Sequence, residues 1–174
     1  MSEQRALTGV ERILPTQDLI VSKTDLVGKI IYANDVFYRI SGYTPRQTLG
    51  MPHNFIRHPH MPKCVFSLLW QTLGEGREIF AYVNNRAANG DHYWVFAHVT
   101  PSRDGDGRTI GYHSNRRSVD RAVVETVVAP LYDRLFREEQ RHADPGDGMA
   151  ASSRMLADTL AGMNKSYDEF IFSF

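Results

Sequence analysis

Alternating and β-rich apolar runs along the first 118 residues predict β-strands. Five runs have this character, at residues 19–24, 29–33, 79–86, 92–100 and 109–114. The first two flank a tight turn that contains Gly28, and the next two flank Asn89-Gly90, which is a strong hairpin signal. The pattern therefore predicts two antiparallel hairpins and a fifth strand that joins the second of them.

Between the two hairpins, apolar residues recur at helical intervals. Asn34 is a good N-cap for a short helix that Gly42 ends. Apolar positions from Val65 to Leu73 recur at helical intervals and predict the longest helix of the core. Because hairpins lie on both sides of these helices, we expect an α+β fold in which one five-stranded antiparallel sheet carries short helices on one face. Such an arrangement encloses a pocket.

The same pattern divides the chain into four segments. Residues 1–17 form an N-terminal cap or arm, and residues 18–118 form the sheet domain. Residues 119–143 form a helix in which Pro130 marks a kink or a second helix start. Residues 144–174 contain a Pro- and Gly-rich linker and an amphipathic helix. This helix packs either on its own domain or on a second copy of the chain.

Composition excludes several classes of function. Twenty Lys and Arg residues balance twenty Asp and Glu residues, which argues against nucleic-acid binding. No apolar run is long enough to span a membrane, and the N-terminus lacks the features of a secretory signal. Cys64 is the only cysteine, so we expect a cytoplasmic protein without disulfides. We also expect no enzyme, because no paired nucleophile and base, metal set or phosphate-binding loop is evident.

Residues 50–62 are the most distinctive segment of the chain. Three histidines and Arg57 lie there among three prolines and several large apolar residues. A guanidinium keeps its charge and offers a planar set of donors to phosphate or carboxylate oxygens, so the segment suits an anionic, partly aromatic ligand. The alternative interpretation is a proline-stiffened connector with solvated histidines.

Several runs, in this strand order, resemble the Per-Arnt-Sim (PAS) domain family. They are IYANDVF at 31–37, SGYT at 41–44, RHPHMPK at 57–63 and NGDHYWV at 89–95. The chain looks in particular like the flavin-binding domain of bacterial aerotaxis receptors, over roughly residues 18–135. The resemblance implies that residues 18–118 are a PAS sensor domain. It also implies non-covalently bound FAD that reports redox state or oxygen-linked electron flow.

The resemblance also indicates candidate cofactor residues. Arg57 and His58 fall on positions that retain the cofactor in the family, where they suit the pyrophosphate or the ribityl hydroxyls. His60 stands where aerotaxis receptors usually have an aspartate, which replaces an acceptor by an imidazole. Trp70 matches a family tryptophan, and it either stacks on a flat ring or packs in the core.

Side-chain amides are candidates for the polar edge of a flavin ring, because one amide offers both a donor and an acceptor. The two candidates of this kind are Asn34 and Asn85. By strand alternation Asn85 shares a face with Ile79, Ala81 and Val83, so an apolar wall would end in an amide. His113, on the last strand, is a further candidate for the same edge.

Three alternatives stay open at this point. FMN could replace FAD, and haem is a rival to flavin, because PAS domains also bind iron through histidine and His53, His58 and His60 are close in sequence. His53 is therefore a candidate cofactor residue as well. A cofactor-free dimerisation or interaction module is the third alternative. Light-oxygen-voltage relatives need a reactive cysteine in an Asn-Cys-Arg-Phe-Leu-Gln-like motif, and Cys64 lies outside any such motif.

The resemblance further suggests partners. Receptors of this type continue into a membrane anchor and a rod that controls a kinase, and residues 1–174 contain neither. We expect either a self-contained sensor that associates with a separate receptor or kinase, or the sensor part of a longer protein. Self-association through the terminal helices would give a homodimer. The helix that begins near Asp120 would transmit changes from the sheet.

Overall fold

Five strands form one antiparallel sheet in the computed structural model, which describes residues 6–174. They are β1 (Ile20–Thr24), β2 (Ile30–Ala33), β3 (Ile79–Arg86), β4 (His92–Arg103) and β5 (Thr109–Arg117). Their order across the sheet is β2-β1-β5-β4-β3. The predicted α+β fold and its single sheet are confirmed. Strands β4 and β5 each run three residues beyond the predicted end, because they pair with one another along this whole length.

Helices occupy the chain between β2 and β3 and after β5. The first group is α1 (Asp35–Ser41), α2 (Pro45–Thr48), a 3-10 helix (His53–Ile56) and α3 (Lys63–Gly74). The second group is α4 (Arg121–Val123), a π-helical turn (Val124–Val128), α5 (Ala129–Gln140), α6 (Pro145–Gly162) and α7 (Tyr167–Ile171). Helix α1 begins as predicted at Asn34, whose Oδ1 accepts from Phe37 N, and it ends at Gly42 in the left-handed conformation.

The two groups of helices contact opposite faces of the sheet, and α3 of the first group also contacts α5 and α6 of the second. Helix α3 faces the side on which Val83 and Ala97 point. We call this side the inner face. On the outer face, the Tyr132 hydroxyl of α5 donates to the Tyr82 carbonyl at 2.9 Å, and Phe172 lies 4.7 Å from Phe80 between ring centroids. The apolar stripes of the terminal helices thus pack on their own domain, which is one of the two predicted alternatives.

Pro130 lies at the end of a π-helical turn within one continuous helical segment, Arg121 to Gln140. The Ala129 N–H donates to the Val124 carbonyl, five residues back, just before the proline. Proline cannot donate and its ring crowds the preceding turn, so a wider turn accommodates it without ending the helix. A π-helical turn thus stands where the sequence predicted a kink or a second helix start.

The predicted linker near residue 144 is the first turn of α6. Asp144 accepts from the N–H groups of Gly146 and Asp147 at 2.8 and 3.0 Å, and Pro145 occupies the first helical position. This N-cap followed by proline favours a helix start more than the two glycines oppose it. The predicted C-terminal helix is therefore two helices, separated by a turn in which Asn164 has a φ of 53°.

The N-terminal segment acts as a cap on the β3–β4 hairpin, while residues 1–5 of the predicted arm lie outside the described residues. Arg12 Nε pairs with Asp91 at 3.0 Å, and Thr8 Oγ1 donates to the same carboxylate at 2.7 Å. Hydrogen bonds from Asn89, Thr8 and Arg12 lower the pKa of Asp91 to about 2.

Among residues 6–174, no helix is both long and apolar enough to cross a lipid bilayer.

Helices α5 and α6 approach most closely at Gly148, and this contact generates a prediction. A Cβ atom there would lie 2.6 Å from the Glu139 carbonyl oxygen, so Gly148→Ala must push the two helices apart. We expect a loss of about 1–3 kcal/mol in the free energy of unfolding, measured by urea denaturation. Gly162→Ala, in the same helix with open space around it, is the control and should cost nothing. Equal stability of both variants would contradict the close packing.

Candidate functional site

A cavity of about 260 Å³ lies between the inner face of the sheet and helix α3. Its apolar lining comes from the helix and from the two strands opposite, and consists of Phe66, Leu69, Leu73, Val83, Ala97 and Val99. Its polar lining is gathered from five separate elements or loops and includes Ser22, His53, Asn54, Arg57, Asn85 and Arg116. We call this space the inner cavity. It is partly apolar and carries two guanidinium groups.

Buried polar atoms without a partner are concentrated at the inner cavity. Four residues of its lining carry such atoms, counted against the partners available in residues 6–174: Thr24 Oγ1, Arg57 Nε, Asn85 Nδ2 and Arg116 Nη1. Buried polar groups in folded proteins nearly always have a partner, so this set requires an explanation. The three nitrogens can only donate. A group that presents several acceptor atoms would satisfy them.

Arg57 and Asn85 are brought together by backbone pairing. Arg57 follows the 3-10 helix and pairs with Asn85 at the free edge of β3, which places both side chains on the inner face. The Arg57 guanidinium lies over the Phe66 ring, 3.4 Å from its centroid. Burial lowers the Arg57 pKa and the charge of Glu139 partly opposes this, so the side chain stays cationic at neutral pH.

Arg116 is a second buried cation of the inner cavity and is only 3% exposed. Its Nη2 donates to Ser22 Oγ at 2.7 Å and to His53 Nε2. Burial lowers the Arg116 pKa to about 10, which still leaves it charged at neutral pH. For His53, burial and then the charges of Arg116 and Arg57 lower the pKa well below its usual value. His53 is therefore neutral and accepts at Nε2.

The sequence prediction missed Arg116, although strand alternation contained the signal. Residues 112, 114 and 116 share the inner face of β5, whereas the predicted candidate His113 shares the outer face with Asn115. His113 Nε2 and Asn115 Oδ1 are hydrogen-bonded to each other at 3.1 Å. The structure thus places His113 on the side of the sheet that a ligand in the inner cavity does not reach.

Trp70 lies at the mouth of the inner cavity and not in the core. Its side chain is 42% exposed, and its ring is edge-on to Tyr112 at a centroid distance of 5.3 Å. The indole also covers Gly28 in the β1–β2 turn, where a Cβ atom would lie 3.3 Å from it. Trp70 is therefore not a core residue, and stacking on a flat ring stays a prediction.

Asn34 is brought close to the sheet but not to the inner cavity. Its Oδ1 accepts from Val21 N and Phe37 N at 3.0 and 3.1 Å, and its Nδ2 donates to the Leu19 carbonyl at 2.8 Å. Both ends of the amide are used to join β1 to the start of α1. Because Asn34 is not part of the lining of the inner cavity and its amide joins these elements, its role in the fold is structural.

His58 and His60 lie with the outer-face residues, because the chain turns over residues 58–61 after the Arg57 bridge, with the Met61 N–H donating to the His58 carbonyl at 3.0 Å. They line a second cavity, of about 320 Å³, together with Trp94, Tyr132 and Phe136. Burial, followed by the charges of His60 and His92, lowers the pKa of His58 to about 4. Despite this grouping, the part of the chain that the structure describes has no set of three His, Cys, Asp or Glu side chains placed to hold a metal ion.

The fold is one antiparallel sheet that encloses the inner cavity against helix α3. A family model described as PAS fold matches residues 30–116, which is half of the chain. The chain therefore belongs to the PAS family, and the resemblance inferred from its motifs is confirmed.

Relatives of known name include signalling proteins. The chain is 41% identical over 136 residues to the aerotaxis receptor of Escherichia coli strain K12, an alignment that covers 78% of the chain and 26% of the receptor. It is 29% identical over 93 residues to the bacterioopsin transcriptional activator of Halobacterium salinarum, which covers 53% of the chain and 14% of that protein. The chain thus spans about a quarter of the receptor that it matches.

A solved light-oxygen-voltage domain, from work titled "Flavin Analogue Sheds Light on Light-Oxygen-Voltage Domain Mechanism", has the same fold. It superposes with a TM-score of 0.57 at 19% identity, and the match covers 68% of this chain and 88% of that one. Cys64 is not among the residues that line the inner cavity. It is buried beside Glu139 and Ser152, and burial raises its pKa to about 11.

The neutral histidines predict a dependence of stability on pH. Because the pKa of His53 and His58 is lower in the folded chain than its ordinary value of 6.5, the unfolded chain binds protons more readily. Stability should be complete above pH 6.5 and should fall as the pH drops toward about 4. We expect His58→Asn to flatten this fall between pH 7 and 5 in urea denaturation. His113→Asn, on the outer face, is the control; equal slopes for both variants would contradict the assignment.

Proposed function

We propose that the chain is a flavin-binding PAS sensor that reports redox state or oxygen-linked electron flow to a signalling partner. The unpartnered donor nitrogens of Arg57, Asn85 and Arg116 around one cavity carry this proposal. A flavin ring has acceptor atoms along its pyrimidine edge and an apolar benzenoid end. The first matches the donors, and the second matches the wall formed by α3 and the inner face of the sheet.

FAD is the flavin that the sequence resemblance to aerotaxis receptors implies, and the 41% identity to one of them supports it. The inner cavity, at about 260 Å³, is close to the lower end of the roughly 300–1,000 Å³ usual for small-molecule sites. It suits a ring system more than a whole dinucleotide. The remainder of FAD would leave through the mouth, which Trp70 borders. When bound, FAD supplies reversible electron transfer.

The residues of the inner cavity would respond to a change in the charge of the ligand. Arg57 and Arg116 are both cationic and neither pairs with a carboxylate within residues 6–174, so they favour a more negative ligand. The Asn85 amide can donate or accept a hydrogen bond. A reorientation of this amide would therefore be transmitted to β3. The carbonyl of Tyr82, three residues before Asn85, accepts a hydrogen bond from the Tyr132 hydroxyl of α5. This bond connects β3 to the terminal helices.

Haem is less well supported as the ligand. Among the histidines of the described chain, His53 is the one that lines the inner cavity. Its Nε2 already contacts Arg116 and Ser22, and a cation at this nitrogen opposes a metal ion. The remaining alternative, a cofactor-free module, leaves the four unpartnered polar atoms without an explanation.

The output partner that we propose is a receptor or a kinase in the same cytoplasmic compartment, and the named relatives include a receptor. A single buried thiol, Cys64, suits a reducing compartment. We also propose that the chain forms a homodimer. Because α5 and α7 already cover the outer face of the sheet, this dimer would use their remaining exposed sides.

The ligand itself gives the first test of this function. Protein purified without added cofactor, or refolded with FAD, should be yellow and should show the blue-region absorption bands of a flavin. Mass spectrometry of the compound released by denaturation should identify FAD. An intense Soret band would instead establish haem, and a colourless protein that takes up neither FAD nor FMN would overturn the proposal.

Asn85 gives the second test. Asn85→Leu keeps the approximate size of the side chain but removes the unpartnered Nδ2 donor, so the Kd for FAD should rise about tenfold. Asn115→Leu is the matched control, since it makes the same change on the outer face of β5 and should leave the Kd unchanged. Titration followed by flavin fluorescence measures both. Equal affinities for the two variants would exclude Asn85 from the site.

A further inference from the structure

Helix α3 has no N-cap of its own. Pro62 precedes it and makes no capping hydrogen bond through its side chain, and the first turn contains no acidic residue. The cap comes instead from a distant part of the chain. Glu139 of α5 accepts at Oε1 from the backbone N–H of Cys64, the second residue of α3, at 3.1 Å. A carboxylate at this position satisfies a free N–H and interacts favourably with the helix dipole.

The same carboxylate also holds helix α6. Ser152 Oγ donates to Glu139 Oε1 at 2.9 Å, and Gly148 allows the two helix backbones to meet at this level. Glu139 is 5% exposed, and its second oxygen, Oε2, has no partner among the residues that the structure describes. Burial of a carboxylate is costly, so the hydrogen bonds from α3 and α6 must offset that cost. Three helices therefore converge on one side chain.

Helix α3 is also the wall of the inner cavity. Phe66, in its first turn, supports the Arg57 guanidinium, and Leu69, Trp70 and Leu73 continue the lining along the same helix. The capped end of α3 and the ligand-facing side of α3 are thus about one turn apart. Glu139 also acts on the cavity through space, because its charge raises the Arg57 pKa against the lowering by burial.

We propose that Glu139 is a positioning residue that couples the inner cavity to the helical pair α5–α6. Its carboxylate caps the cavity-wall helix from outside. This inference rests on the proposed function in one respect, namely that a ligand in the inner cavity is what moves α3. A hydrogen bond weakens steeply when it lengthens, and Pro62 offers no side-chain acceptor in place of Glu139. A displacement of α3 therefore either moves α5 and α6 with it or breaks the cap.

The cap can be tested in ligand-free protein by hydrogen exchange. In Glu139→Ala, amides in the first turn of α3 should exchange roughly tenfold faster, because a charge-assisted hydrogen bond is lost there. Glu139→Gln keeps an acceptor oxygen and should restore most of the protection. Glu125→Gln, which makes the same change on an exposed side chain, is the control and should have no effect. Unchanged exchange at residues 64–66 in Glu139→Ala would overturn the proposal.

The coupling is tested by disturbing the cavity wall in two backgrounds, again without ligand. Phe66→Leu removes the ring beneath Arg57 and should raise exchange in α5 and α6 severalfold. In the Glu139→Ala background, the same change should add nothing there beyond the effect of Glu139→Ala alone. Strands β1 and β5 report any general loss of stability. Equal effects of Phe66→Leu in both backgrounds would overturn the coupling.

Loading with FAD separates this inference from the proposed function. If FAD binds, its reduction should change exchange in α5 and α6 in the original chain but not in Glu139→Gln, although both should bind FAD. A response that is equal in both would overturn the coupling. If FAD does not bind, the proposed function fails, and the ligand-free experiments still decide the role of Glu139.

Discussion

The Arg116 side chain connects the parts of the fold that build the inner cavity. It extends from β5, donates to Ser22 in β1 and contacts His53 in the 3-10 helix, all in a nearly water-free setting. A buried guanidinium is tolerated only where its donors are satisfied, and one of its nitrogens is left without a partner among the described residues. The protein thus fixes the geometry of this corner and leaves one donor of Arg116 for the ligand that we propose.

Arg57 poses the same problem at the other side of the inner cavity. Its guanidinium is held by the Phe66 ring and by backbone pairing with β3, and its Nε also lacks a partner among the described residues. Each of the two buried guanidinium groups leaves a donor nitrogen without a partner among the described residues, which costs stability in the ligand-free state. Stability given up in this way is typical of binding sites, where the ligand supplies the missing interactions.

Much of this architecture follows from local patterns in the chain, since strand alternation, hairpin glycines and an Asn N-cap define the sheet and α1. The site was harder to predict from the sequence than the fold, for physical reasons. The amide of Asn34 caps α1 and joins it to β1, which keeps the side chain away from the inner cavity. Arg57 and His58 are neighbours, but pairing with β3 sends them to opposite faces, and a proline-rich segment carries no alternation from which this could be read. To predict Arg116 as a site residue, one must know which side chains of β5 face the inner cavity. His113 and Asn115 on the opposite face are equally polar, so the sequence pattern did not decide this.

The π-helical turn at Val124–Val128 gives this arrangement a rotational consequence. Such a turn holds one residue more than ordinary α-helical winding, and each residue of an α-helix advances the azimuth by about 100°. If the extra residue were absorbed, everything after Pro130 would turn about the helix axis by that angle. Tyr132 would then face away from β3, and Glu139 would leave the end of α3. One turn of backbone therefore determines the rotational orientation of the whole C-terminal portion relative to the sheet.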